Sequence, residues 1–194
     1  MKRTFLVFFI AVLVLFGRVG ALAQEPEHFK FMGISMGLNE KAFVKELKKK
    51  GFEPQQGSNG GMFFTGMFRG YMSSIAWSLT PVSKKPWAIS VIISVSDWLA
   101  GKNQYEKLKG DLSFKYGEPT VVQEDIPYEY IGNELEYVSD KNNSFQTIWQ
   151  LNNGAIVLLI SSFELYGIYH GSVAIDYYDA ANRKLEAEER ISCL

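Results

Sequence analysis

The chain has 194 residues, of which 20 are Lys or Arg and 21 are Asp or Glu, so its formal net charge at pH 7 is −1. This balance lacks the concentrated positive charge that binding to nucleic-acid phosphates requires, and we expect no nucleic-acid partner. A single cysteine excludes an intramolecular disulfide, so the hydrophobic residues, 47% of the chain, must supply a stabilising core.

The first 23 residues have the pattern of a secretory signal peptide. A basic start precedes an apolar run from Phe5 to Phe16, and Ala21-Leu22-Ala23 supplies the small residues that signal peptidase recognises. The apolar run is shorter than the ~20 residues that cross a bilayer. The only cysteine, Cys193, lies far from the cleavage site, so no lipid anchor is predicted there. We predict a mature chain that begins at Gln24, has no transmembrane segment and is soluble in the periplasm or secreted.

The segment 33–37, Gly-Ile-Ser-Met-Gly, fits the G-x-S-x-G pattern that surrounds the nucleophilic serine of many esterases. A histidine, His170, follows it in the chain, and Asp97 or Asp140 could serve as the acid. A serine hydrolase that uses Ser35 is therefore one hypothesis for function.

The preferred interpretation of this segment is a turn. A nucleophilic serine of this type needs a buried parallel strand before it, and only a short polar segment separates the cleavage site from Gly33. Gly33 and Gly37 are typical of turn residues, and Asn39 is a good N-cap for the helix that follows. We therefore predict no catalytic residue.

Two stretches of the chain share one helical pattern. Residues 39–54 and 103–119 both place apolar side chains at helical spacing. Each stretch ends in a glycine with a proline two or three residues later. The apolar positions are Phe43, Val44 and Leu47 in the first stretch and Tyr105, Leu108, Leu112 and Tyr116 in the second. Strand-like segments follow each helix, so we predict two tandem halves, residues 24–98 and 99–194.

Alternating side chains predict antiparallel strands after each helix. Ala155–Ile160 is apolar on both faces, as in a central strand, and Trp77 and Trp149 are expected at corresponding core positions. A polar helix is predicted over Ala180–Arg190 at the end of the chain. These elements give an α+β fold in which helices pack on one face of an antiparallel sheet. The predicted strands are Tyr71–Leu79, Trp87–Ser96, Phe145–Leu151, Ala155–Ile160 and Ser172–Tyr178.

The beginning of the mature chain resembles that of a group of uncharacterised exported proteins of Gram-negative bacteria. The resemblance lies in Phe29-x-Phe31-Met32-Gly33-Ile34, followed by Gly37, a helix and Lys50-Gly51-Phe52. The tandem plan is similar to that of β-lactamase-inhibitor-protein-like domains and, more distantly, of the small lipoproteins of outer-membrane assembly. The resemblance implies the tandem fold and the exported location.

Small polar side chains on the predicted sheet form the candidate binding site. Strand alternation turns them away from the core, and their size would let a partner approach the sheet closely. The candidate residues are Ser74, Ser78, Ser90, Ser94, Gln146 and Gln150. We predict an exported, non-enzymatic binding module of the bacterial cell envelope whose partner is a protein or another envelope component.

Other chemistry has weaker support in the sequence. His28 and His170 are far apart and no H-E-x-x-H or C-x-x-C spacing occurs, so we predict neither a metal nor a cofactor. The acidic pairs Glu124-Asp125 and Glu134/Glu136 keep calcium binding and glycosidase chemistry open as alternatives. The other functional alternatives are a serine hydrolase, an envelope assembly accessory and an enzyme inhibitor.

Overall fold

The computed structural model describes residues 27–57, 61–140 and 142–192, so the predicted signal peptide lies outside the described residues. The described residues form ten β-strands and four α-helices, with a 3₁₀ helix at Tyr128–Tyr130. In chain order the elements are β1 Lys30–Phe31, β2 Ile34–Ser35, α1 Glu40–Lys49, β3 Glu53–Gln56, β4 Met62–Phe68, β5 Tyr71–Leu79, β6 Pro86–Val95, α2 Trp98–Tyr116, β7 Val121–Gln123, α3 Glu134–Tyr137, β8 Phe145–Leu151, β9 Gly154–Leu165, β10 Ile168–Asp179 and α4 Ala180–Ser192.

Eight of the strands form one open antiparallel sheet in the order β3-β4-β5-β6-β10-β9-β8-β7. Strands β1 and β2 pair with each other as a separate hairpin. The last strand of the sequence, β10, lies at the centre of the sheet between β6 and β9. This architecture confirms the predicted α+β class with an antiparallel sheet.

One face of the sheet forms the hydrophobic core. Ile75, Val91, Ile175, Leu158 and Thr147 are direct neighbours in the register across β5, β6, β10, β9 and β8. None of these five side chains is more than 1% exposed. Because successive side chains of a strand point to opposite faces, this row fixes which residues of each strand face the core.

Side chains cap the N-termini of α1 and α2. Asn39 Oδ1 accepts a hydrogen bond from the Ala42 N–H at 3.0 Å, which confirms the predicted cap of α1. Asp97 Oδ1 accepts one from the Ala100 N–H at 2.8 Å, so α2 begins earlier than the predicted Asn103. A carboxylate in this place also interacts favourably with the helix dipole. In the described part of the chain, no helix has the length and apolar character needed to cross a membrane.

Within the described ranges, three hairpins are closed by two-residue turns in which both residues have positive φ. The pairs are Met32-Gly33 at 50° and 80°, Arg69-Gly70 at 52° and 87°, and Tyr166-Gly167 at 54° and 79°. Such turns match the right-handed twist of the strands they join. Gly33 is therefore a turn residue, as its sequence context predicted, and glycine adopts this conformation without strain.

The two tryptophans expected at corresponding positions lie on strands that do not correspond. Trp149 is buried on β8, where its Nε1 donates to the Gly117 carbonyl at 3.0 Å. Trp77 is half-buried on β5, against the rings of Phe43 and Phe64. Strand β5 is the third strand after α1, whereas β8 is the second after α2. The prediction of equivalent positions is wrong, because the alternation of side chains identifies the face of a strand but not its place in the sheet.

Candidate functional site

The six predicted binding residues lie on the side of the sheet opposite the core. This side consists of residues 72, 74, 76 and 78 of β5, the even residues 88–94 of β6, the even residues 172–178 of β10, the odd residues 155–161 of β9, and residues 146, 148 and 150 of β8. We call it the open face. All of its side chains are half-buried or exposed except Ala174, which is 8% exposed.

The open face is not uniformly polar. Strands β5 and β6 contribute the four predicted serines, but β9 contributes Val157 and Leu159 between these serines and the two glutamines of β8. Neighbouring strands of a sheet lie about 4.8 Å apart, and β6 and β8 are separated by three such spacings, roughly 14 Å. The predicted residues therefore form two polar groups with an apolar strip between them.

Asp176 carries the single charge among the open-face residues defined above. Its direct neighbours are Ser90 on β6 and Val157 on β9, and the Tyr178 hydroxyl lies 3.5 Å from Oδ2. Burial raises the pKa of the Asp176 carboxyl, and hydrogen bonds from Ser90 and Tyr178 offset only part of this effect. None of the ion pairs between residues that the structure describes includes Asp176.

Arg183 lies near the Tyr178 end of the open face, but its contacts are with groups other than Asp176. The guanidinium of Arg183, on α4, lies 4.4 Å from the centre of the Trp87 ring, and its Nη1 lies 3.4 Å from a carboxylate oxygen of Glu186. The Trp87 ring in turn stacks on Tyr178, with 6.4 Å between ring centres. Arg183 therefore contributes a cation–π contact rather than an ion pair with the open-face carboxylate.

Ser35 lies elsewhere, in a cleft of about 600 Å³ between the β1–β2 hairpin and α4. His28 lines the same cleft, and its Nδ1 is 3.2 Å from each carboxylate oxygen of Asp179. Asp179 is fully buried. The fold thus brings a serine, a histidine and a buried carboxylate together. The other residues that line the cleft are Gly37, Leu38, Lys85, Ala181, Asn182, Lys184, Leu185 and Glu188.

The histidine and the aspartates that the sequence suggested as catalytic partners of Ser35 lie elsewhere in the molecule. His170 stacks on an aromatic ring of the β9–β10 hairpin, Asp97 caps α2, and Asp140 accepts a backbone hydrogen bond in the loop before β8. None of the three lines the cleft that contains Ser35. The hypothesis of a triad built from these residues is wrong.

Sequence reasoning missed His28 and Asp179. A two-residue turn at Met32-Gly33 places residue 28 opposite Gly37, and this hairpin register was the one local signal for His28. Asp179 follows His28 by 151 residues, and no spacing rule connects positions so far apart.

Glu124, from one of the predicted acidic pairs, belongs to a polar network on the core side of the sheet. Its Oε1 lies 2.6 Å from Lys109 Nζ, 2.9 Å from the Tyr105 hydroxyl and 2.8 Å from Thr147 Oγ1. Burial raises the pKa of the Glu124 carboxyl, but hydrogen bonds from these three groups outweigh it and the pKa is lowered. Within the described ranges, no group of three His, Cys, Asp or Glu side chains is arranged to hold a metal ion.

Comparisons with protein-family models, with curated protein sequences and with solved structures find no match to this chain.

Proposed function

We propose that the protein is an exported binding module of the bacterial cell envelope, and that its open face recognises a protein partner with a basic side chain. The observation that carries this proposal is Asp176, a partly buried carboxylate without a countercharge among the described residues. It lies in the interior of the sheet, on the central strand β10.

A carboxylate in this environment opposes folding, because partial burial weakens its hydration and no cation among the residues that the structure describes compensates for the loss. A lysine or arginine of a partner would supply that cation. The hydrogen bonds from Ser90 and Tyr178 hold the carboxylate in position for it. The apolar side chains of Val157 and Leu159 offer contact area beside the charge, as is common around the well-desolvated centre of an interface.

Charge complementarity favours a basic partner over a second copy of the chain. Two open faces packed against each other would bring two uncompensated Asp176 carboxylates into one interface. Like charges in a desolvated interface are unfavourable.

The proposal includes the location and the tandem design. The pattern of residues 1–23 supports export and cleavage after Ala23. The strand order supports two related halves, since α1 precedes four strands that run from one edge to the centre and α2 precedes four that run from the other edge to the centre. Both helices contribute buried residues to the core cluster, which supports helices packed on the face opposite the open face.

Removal of the Asp176 charge tests the proposal. The mature protein and its Asp176→Asn variant are immobilised and exposed to envelope extract, and bound proteins are quantified by mass spectrometry. We expect a partner whose capture falls about tenfold or more in Asp176→Asn, since truncating one partner of a desolvated ion pair costs about 2–5 kcal/mol and about 1.4 kcal/mol corresponds to tenfold in affinity. Ser90→Arg, which places bulk and positive charge beside Asp176, is expected to block the same partner.

Asp125→Asn is the matched control, because this carboxylate is exposed in the loop after β7. It should retain full capture. A photo-reactive side chain at Ser94 should cross-link to a partner segment that contains lysine or arginine. Equal capture by the wild type, Asp176→Asn and Ser90→Arg would contradict the proposed use of the open face.

A further inference from the structure

The geometry of the Ser35 cleft points to a second function, which we assign as hydrolysis of carboxylic esters. In this assignment Ser35 is the nucleophile, His28 is the general base and Asp179 is the residue that positions His28. The inference is independent of partner binding, because none of these residues belongs to the open face.

The β1–β2 hairpin places Ser35 and His28 on the same side. Lys30 is paired with Ser35, and the Met36 N–H donates to the Phe29 carbonyl at 2.9 Å, so the pairing continues beyond β1 toward residue 28. Side chains two residues apart on a strand share a side, and diagonal neighbours across a hairpin are within reach of long side chains. The imidazole of His28 is therefore a diagonal neighbour of the Ser35 hydroxyl.

Asp179 fixes the orientation and the tautomer of His28. Its carboxylate accepts the Phe29 N–H at 2.7 Å and the Asn182 N–H at 2.7 Å, in addition to its contacts with His28 Nδ1. An ionised carboxylate only accepts hydrogen bonds, so Nδ1 must carry a proton. In the neutral ring Nε2 is then left as the proton acceptor, which is the state that a general base requires.

Gly37 makes room for this histidine. A Cβ atom at residue 37 would lie 2.4 Å from Cδ2 and 2.9 Å from Nε2 of His28, closer than side chains approach one another. The Gly37 N–H donates to Ser35 Oγ at 3.2 Å. A hydroxyl that accepts one bond in this way keeps its own proton available for donation. The second glycine of the G-x-S-x-G segment thus contacts both the serine and the histidine.

The surroundings of the cleft suit a small ester. Leu38 and Leu185 provide its apolar lining, and a volume of about 600 Å³ is sufficient for a short-chain substrate. Ala181 and Asn182, in the first turn of α4, line the same cleft. The N-terminal end of α4, where the helix dipole is positive, therefore lies at the cleft, and the Asp179 carboxylate already accepts one of its N–H groups, that of Asn182.

The reaction proceeds in two balanced steps. As Ser35 Oγ bonds to the carbonyl carbon, its proton passes to His28 Nε2; the bond to the alcohol oxygen then breaks, and the alcohol leaves with that proton. A water molecule next gives a proton to His28 while its oxygen bonds to the acyl carbon. The acid is released as Ser35 regains the proton. Asp179 stays ionised and stabilises the imidazolium in both steps.

A fluorophosphonate probe and p-nitrophenyl butyrate test this assignment on the mature protein. We expect a stable probe adduct on the peptide that contains Ser35, and no labelling of Ser35→Ala. His28→Gln keeps a hydrogen-bond donor for Asp179 but removes the base, so we expect a loss of ester hydrolysis of about 10²-fold or more.

Ser96→Ala and His170→Gln are the matched controls and should retain labelling and hydrolysis, because both side chains are exposed and lie outside the cleft and the open face. Unchanged partner capture by Ser35→Ala would separate this site from the proposed binding surface. Mapping the adduct on the wild-type protein needs no variant to fold. Absence of an adduct at Ser35, or equal hydrolysis by the wild type and Ser35→Ala, would overturn the assignment.

Discussion

Asp176 titrates differently in the folded and unfolded chain. Burial raises the pKa of its carboxyl in the folded protein, so the folded state takes up a proton before the unfolded state as the pH falls. The unfavourable effect of the charge is therefore complete above the folded pKa and disappears as the pH falls through it.

Asp176→Asn is expected to raise the melting temperature at pH 7, because it removes an uncompensated charge and keeps the shape of the side chain. The difference from the wild type should shrink as the pH approaches the ordinary aspartate value of 3.8. Thermal unfolding followed by circular dichroism at several pH values measures both effects. Asp125→Asn should show neither, and a lower melting temperature for Asp176→Asn at pH 7 would contradict the prediction.

Tyr105 is the buried end of the network around Glu124. Its hydroxyl is 2.7 Å from Thr147 Oγ1 and 2.9 Å from Glu124 Oε1, and the residue is 0% exposed. Tyr105→Phe leaves both partners with one hydrogen bond fewer in a buried site, so we expect it to lower the free energy of unfolding by about 1–2 kcal/mol.

Denaturant titration measures the effect of Tyr105→Phe. The matched control is Tyr128→Phe, at a tyrosine that is 87% exposed, and its effect should stay within about 0.5 kcal/mol. A similar free energy of unfolding for both variants would show that the network does not stabilise the fold.

The turn between β9 and β10 carries a residue poorly suited to its backbone. Tyr166 has a φ of 54° and its side chain is 95% exposed, so the strained conformation is compensated by few contacts. Asparagine tolerates positive φ better than tyrosine and is favoured in two-residue hairpin turns. We expect Tyr166→Asn to raise the free energy of unfolding by up to about 1 kcal/mol.

The same change at Tyr128, in a 3₁₀ helix, is the control for the loss of an exposed ring. Tyr128→Asn should not raise stability. Denaturant titration of both variants distinguishes a backbone effect from a change in surface composition. A loss of stability in Tyr166→Asn would mean that the exposed ring makes a stabilising contact.

Five of the six inner strands of the sheet were predicted from sequence, whereas the inner strand β4 and both edge strands were missed. The predicted strand Tyr71–Leu79 has the bounds of β5, because one of its faces is buried and the alternation is strong. Strands β3 and β7 were missed, since every residue of both is exposed and no alternation is imposed on them. Pro54, within β3, is tolerated because β3 is an edge strand.

The candidate sites also contain parts that were predictable from sequence and parts that were not. Strand alternation was sufficient to place the six polar residues on one face, since that inference is local to each strand. It did not reveal Asp176, because the sheet order that brings β10 beside β6 is a long-range property. The contact between His28 and Asp179 depends on the complete fold for the same reason.

At the scale of the whole molecule, export remains a prediction with a direct test. If signal peptidase cleaves after Ala23, mass spectrometry of the exported protein should show a chain that begins at Gln24. Ala23→Arg should block cleavage and leave the precursor intact, since the enzyme accepts small side chains before the scissile bond. An exported wild-type form that retains Met1 would contradict the prediction.

The central place of β10 has a consequence for how the chain reaches its native state. Ribosomes deliver residues in sequence order, so β6 emerges long before its partner β10 at residues 168–179. Until then β6, with the apolar sequence PWAISVIISV, is an unpaired edge that invites association with other chains. Pairing across such sequence distances is also slow. Newly made chains should therefore depend on a holding chaperone until synthesis is complete.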